Sequence, residues 1–77
     1  MNSIFEIIAK LERAKIHFTL SRIREESILI IVAVPGERWE IEVMEDGTVE
    51  TEVFVSKDGV ETGTQRLDDL FEKHSRD

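Results

Sequence analysis

The chain has 77 residues, no cysteine, and 17 acidic against 10 basic side chains, for a formal net charge of −7. This length accommodates one domain, residues 1–77, with a small core. Without cysteine there can be no disulfide or thiolate metal site, and the acidic balance argues against nucleic-acid binding, which depends on clustered Lys and Arg. An acidic surface can favour a basic partner or serve only solubility.

The N-terminal residues lack the pattern of a signal peptide. No stretch of the chain is apolar over a length that could cross a membrane. We therefore expect a cytoplasmic protein with no membrane partner. A helix is predicted at the N-terminus instead. Ser3 and Glu6 have the spacing of a capping box, and we expect the helix to end near Ala14 or Lys15, without the glycine that often follows a helix. Its apolar face consists of Ile4, Ile7, Ile8, Leu11 and Ala14.

Two strands are predicted next. Residues 16–23 alternate as a half-buried strand does, which places His17 on its polar face, and residues 24–26 form a polar turn. Residues 28–34 are seven consecutive apolar residues, mostly β-branched. Such a run is typical of a central strand with both faces at least partly covered.

A hairpin with four glutamates follows the turn at Pro35-Gly36. Charged and apolar residues alternate on both sides of Glu45-Asp46-Gly47, as in two half-buried strands. A three-residue loop with Gly47 in the left-handed conformation keeps the apolar residues on one face, whereas a two-residue loop would mix both faces. The predicted pairs are Val43 with Val49, Ile41 with Thr51 and Trp39 with Val53 on the core face, and Glu42 with Glu50, Glu40 with Glu52 and Arg38 with Phe54 on the other.

The end of the chain predicts a short edge strand and a second helix. Val60 to Thr62 can extend the sheet, and Thr62 or Thr64 can cap a helix whose apolar stripe is Leu67, Leu70 and Phe71. The predicted fold class is therefore α+β, a four-stranded antiparallel meander sheet with the N- and C-terminal helices on one face, in the order α-β-β-β-β-α.

The sheet face opposite the helices is the candidate partner-binding surface. Like charges facing each other destabilise a sheet, so folding alone does not favour the glutamate pairs, and exposed apolar area commonly marks an interaction site. Alternatively, the aliphatic stems of Glu40, Glu42 and Arg38 cover the apolar side chains and leave only a small patch. The candidate residues are Glu40, Glu42, Glu50, Glu52, Leu29, Ile31, Arg38 and Phe54.

The sequence predicts a non-enzymatic protein with no catalytic residue, metal site or cofactor. Paired carboxylates act as acid and base in clefts, not on an open sheet, and rigid strands do not supply the six to eight converging oxygens that Ca²⁺ takes. The expected partner is a protein with a basic surface. The alternatives are a structural homodimer with no further partner and weak binding of a divalent cation.

Residues 34–54, VPGERWEIEVMEDGTVETEVF, resemble a segment of small bacterial proteins of uncharacterised function, some of which look like immunity proteins. Immunity proteins are small inhibitors encoded beside polymorphic toxins. They are often acidic because their toxins are often basic nucleases. The resemblance implies an inhibitor that binds a basic partner, and it carries no catalytic residue.

Overall fold

The computed structural model describes residues 3–55, 59–62 and 70–72. The strands form one antiparallel sheet in the order β1-β2-β3-β4-β5, so each strand lies beside the next in sequence. The α+β class, the four-stranded meander and the added edge strand are as predicted. The elements are α1 Ile4–Arg13, β1 Phe18–Arg24, β2 Ser27–Val34, β3 Glu37–Met44, β4 Val49–Val55 and β5 Gly59–Thr62.

Helix α1 begins with the predicted capping box. The Glu6 backbone N–H donates to Ser3 Oγ at 3.2 Å, and the Ser3 N–H donates to Glu6 Oε1 at 3.0 Å. Both N–H groups lie in the first turn, which has no intrahelical acceptors. This reciprocal pair therefore fixes where the helix starts.

The helix ends in a Schellman motif with lysine in the position that glycine usually occupies. Lys15 has φ 60°, its N–H donates to the Glu12 carbonyl at 3.1 Å, and the Ile16 N–H donates to the Leu11 carbonyl at 3.0 Å. Leu11 and Ile16 are both buried, which supplies the apolar contact of this motif. The predicted end near Ala14 or Lys15 is confirmed.

The core lies on one face of the sheet, beneath α1 and the helical residues 70–72. Trp39 is fully buried there, as predicted, and its Nε1 donates to Glu37 Oε1 at 2.9 Å, so the indole N–H is satisfied within β3. Lys10 Nζ lies 5.0 Å from the centroid of the Phe71 ring, so the two helical segments are neighbours. The core residues include Ile7, Leu11, Leu70, Ile30, Val32, Trp39, Ile41 and Val53.

The hairpin turns fix the predicted register. Gly47 has φ 93° and donates its N–H to the Met44 carbonyl at 3.0 Å, which confirms the three-residue loop. The Thr48 N–H donates to Asp46 Oδ1 at 2.9 Å and lowers the pKa of this carboxyl group by stabilising its charged form. Gly36, with φ 78°, supplies the left-handed residue of the Pro35-Gly36 turn.

The first strand and the last helix differ from the prediction or are only partly described. β1 begins at Phe18, so His17 precedes it and is exposed, not part of its polar face. Leu70 is helical and fully buried. Thr62 ends β5, and the alternative cap Thr64 and the stripe residue Leu67 lie outside the described residues.

Candidate functional site

The face of the sheet opposite the helices, which we call the outer face, carries all eight candidate residues. Side chains alternate between the two faces along each strand, and the core occupies the helix-covered one. No described helix packs on the outer face. Its side chains from β2, β3 and β4 are Ser27, Leu29, Ile31, Ala33, Arg38, Glu40, Glu42, Met44, Glu50, Glu52 and Phe54.

The strand register brings the predicted residues into direct pairs. Across β3 and β4, Glu42 pairs with Glu50, Glu40 with Glu52, and Arg38 with Phe54. Across β2 and β3, Leu29 pairs with Glu42 and Ile31 with Glu40. An apolar strip on β2 therefore borders an acidic ladder on β3 and β4, as the alternation of the sequence predicts.

Glu42 is held by two side chains that the sequence did not single out. Arg24 contacts both of its carboxylate oxygens, with Nη2 3.2 Å from Oε1 and Nε 3.1 Å from Oε2. The buried Ser27 hydroxyl donates to Oε2 at 2.6 Å. The Glu42 side chain is only 13% exposed. A two-point contact with a guanidinium is the strong form of a charge-assisted hydrogen bond, so Glu42 is a fixed part of the face.

Arg38 connects Glu40 to Phe54. Its Nη2 lies 2.9 Å from Glu40 Oε2, and its guanidinium carbon lies 4.7 Å from the centroid of the Phe54 ring. Phe54 is the cross-strand partner of Arg38, so the cation covers an aromatic ring while it pairs with the glutamate beside it. Arg38 thus offsets one negative charge and shields part of the apolar surface.

Glu50 and Glu52 are the exposed half of the acidic ladder. Neither makes an ion pair or side-chain hydrogen bond within the described part of the chain. Each faces another carboxylate across the strand, Glu42 or Glu40. The four glutamates are equivalent in the sequence pattern, but the structure divides them into a tethered pair on β3 and a free pair on β4.

The apolar strip is intermediate in exposure. Leu29, Ile31 and Phe54 are half-buried and lie outside the core cluster. Their charged neighbours on β3 have aliphatic stems that can cover part of a neighbouring apolar side chain. The apolar side chains of the outer face are therefore not fully exposed, and they are flanked by charge.

The signal for Arg24 and Ser27 was weak in the sequence. The sequence predicts Arg24 in a polar turn, whereas a shift of register between Ser21 and Arg24 in β1 sets Arg24 opposite Ser27. An extra residue in one strand changes which face the following side chains take. Alternation alone does not show such an irregularity.

The outer face combines carboxylates, arginines and half-buried apolar side chains. Among the described residues, no three His, Asp or Glu side chains are grouped closely enough to hold a metal ion. A cleft of about 350 Å³ lies at the end of the sheet, between Phe5 and the loop at Asp46, and none of the eight candidate residues lines it.

Among the described residues, no helix is long and apolar enough to cross a membrane.

Comparisons with family models, with curated proteins and with solved structures found no match to this chain. Function therefore has to be inferred from the outer face itself.

Proposed function

We propose that this protein is a non-enzymatic binding module whose outer face docks a protein with a basic, partly apolar surface. The observation that carries the proposal is the free pair, Glu50 and Glu52, exposed opposite two further carboxylates with no cation beside them in the described residues. Like charges directly opposite each other destabilise a sheet. A partner that brings Lys or Arg to this ladder would remove that destabilisation.

The two halves of the face have different roles in this proposal. Glu50 and Glu52 attract a basic partner over a distance and orient its approach. Leu29, Ile31 and Phe54 supply apolar area that becomes buried on contact. Glu40 and Glu42, already paired with arginines, hold the rim in one conformation and so reduce the entropy lost on binding.

The class of partner that we propose is a basic toxin of the kind that immunity proteins inhibit. The acidic outer face supports this class, together with the resemblance of residues 34–54 to immunity-like proteins. Inhibition by surface coverage needs complementary charge and shape from the inhibitor, and no catalytic group.

Self-association through the same face is the alternative. Stacking two outer faces would bring two acidic ladders together, while the arginines that could offset them already pair with Glu40 and Glu42. This charge balance favours a different, basic protein. Sedimentation velocity separates the two cases, because a wild-type dimer that becomes a monomer with Ile31→Asp indicates self-association.

The test is affinity purification from the native cell with a matched pair of variants. The outer-face variant, Glu50→Gln with Glu52→Gln, and the control variant, Glu12→Gln with Glu72→Gln, each remove two exposed negative charges. We expect wild type and control variant to retain a basic protein that the outer-face variant loses. Mass spectrometry identifies it, and circular dichroism confirms that all three proteins are folded.

If no protein distinguishes the outer-face variant from the control variant, the outer face is not a binding surface for a basic partner. An equal loss with both variants would mean that net charge, and not this face, governs capture.

A further inference from the structure

Strand β1 forms one edge of the sheet. It pairs with β2 along one side, and among the described residues no strand pairs with its other side. An edge strand offers a row of free backbone N–H and C=O groups, which is a template for another extended segment. From Phe18 to Ser21 its pairing with β2 is regular, and the irregularity begins only after Ser21.

Of the three large apolar side chains that are exposed among the described residues, Phe5 lies on α1 and the other two lie on β1. Leu20 is 51% exposed and Ile23 is 64% exposed. Leu20 lies on the helix-covered face, where its partner across the strand, Ile30, is fully buried. The core therefore continues to β1 but is incompletely covered there, and a further strand beside β1 would bury Leu20.

Strand β1 and the segment that leads into it are basic. Residues 13–24 contain four of the ten Lys and Arg residues and no Asp or Glu. Arg24 is paired with Glu42, whereas Arg13, Lys15 and Arg22 pair with no carboxylate in the described part of the chain. Arg22 Nη2 donates to the backbone carbonyl of Glu25 at 2.6 Å, so its charge is positioned without being neutralised.

We propose that β1 binds an extended, acidic and apolar segment of another protein by adding it to the sheet as a strand. Backbone hydrogen bonds at the edge give affinity in this mode, and side-chain preferences give specificity. Apolar residues of the segment contact Leu20 and Ile23, while its acidic residues face Arg22. A second copy of this chain is a poorer occupant, because antiparallel pairing of two β1 strands would bring two basic edges together.

This site differs from the outer face in both position and charge, so binding at the edge does not depend on binding at the outer face. The probe is a random library of short displayed peptides, selected on the wild-type protein. We expect enrichment of sequences that alternate apolar residues with Asp or Glu. A labelled representative then gives dissociation constants by fluorescence anisotropy.

Three variants locate the site. Arg22→Glu weakens binding of the selected peptide about fivefold, the size expected for one lost exposed ion pair, and Leu20→Glu weakens it at least as much. Lys10→Glu makes the same charge change on α1 and leaves the affinity unaltered. Amide hydrogen exchange shows added protection in residues 18–21 on peptide binding, whereas amides of β4 do not change.

The proposal is overturned if selection yields no peptides, or basic ones, or if Arg22→Glu and Lys10→Glu weaken binding equally. Protection of the β1 amides in a concentration-dependent dimer without peptide would instead make a second copy the occupant. Circular dichroism of each variant shows that a loss of affinity is not a loss of fold.

Discussion

Lys15 adopts the left-handed backbone conformation, which L-amino acids disfavour. Its φ of 60° is enforced by the two Schellman hydrogen bonds and by burial of Ile16 beneath the helix end. The left-handed conformation costs a residue other than glycine roughly 1–2 kcal/mol. Glycine avoids that cost but has more freedom in the unfolded chain, which offsets about 0.4–1 kcal/mol.

We therefore expect Lys15→Gly to raise the free energy of unfolding by about 0.5–1 kcal/mol in urea denaturation. Lys15→Ala is the control, because alanine removes the lysine side chain but keeps the strained backbone. A gain with alanine equal to that with glycine would show that the lysine side chain, and not φ, limits stability.

Thr51 is a second residue whose local environment lowers stability. It is 3% exposed and lies opposite Ile41 on the core face. Its Oγ1 has no hydrogen-bond partner in the described part of the chain. Since a buried hydroxyl without a partner costs stability, we expect Thr51→Val, which has the same shape, to raise the free energy of unfolding by about 1 kcal/mol.

The control for this prediction is Thr51→Ser, which keeps the hydroxyl and removes a methyl group. We expect it to lower the free energy of unfolding by about 0.8 kcal/mol, the value of one buried methyl group. Thermal unfolding measures both variants. A destabilising Thr51→Val would show that the buried hydroxyl does not lower stability.

At the scale of elements, two glutamates paired across β3 and β4 should respond in opposite ways to loss of charge. Glu42→Gln breaks a two-point ion pair and weakens the Ser27 hydrogen bond, so we expect a loss of about 1 kcal/mol. Glu50→Gln removes only repulsion, so we expect a gain of up to about 0.5 kcal/mol. Urea denaturation of both variants tests this, and shifts of the same sign would contradict the division into tethered and free pairs.

The hairpin β3–β4 was predictable from sequence because three local requirements agree. Alternation at a period of two sets which residues share a face, Gly47 permits a left-handed loop residue, and only a three-residue loop satisfies both. A two-residue turn at Pro35-Gly36 places Val34 opposite Glu37 and so sets the β2–β3 register. Together the two registers are enough to place the eight candidate residues on one face of the sheet.

The parts that sequence could not predict depend on single irregularities and on side-chain choice. The bulge after Ser21 places Arg24 opposite Ser27, and no pattern in residues 16–24 marks it. Which glutamates find a cation depends on where Arg24 and Arg38 reach in three dimensions. Alternation fixes the face of a residue but does not identify its ionic partner.

At the scale of the whole molecule, opposite charges occupy different parts of one sheet. The acidic ladder lies on the outer face of β3 and β4, whereas the edge strand β1 carries Arg22 and Arg24 and no acidic residue. Such separation creates local potentials that the net charge of −7 does not convey. We expect each surface to select a partner of opposite charge, a basic one for the outer face and an acidic one for the edge.

The most direct test of the outer-face proposal is the association rate of the captured basic partner with wild type and with Glu50→Gln/Glu52→Gln. In this proposal the free pair attracts the partner over a distance, so we expect association to slow about threefold to tenfold at low salt. The difference should shrink as salt screens the charges, while Glu12→Gln/Glu72→Gln follows wild type. Equal association rates for wild type and the outer-face variant at every salt concentration would show that Glu50 and Glu52 do not attract the partner.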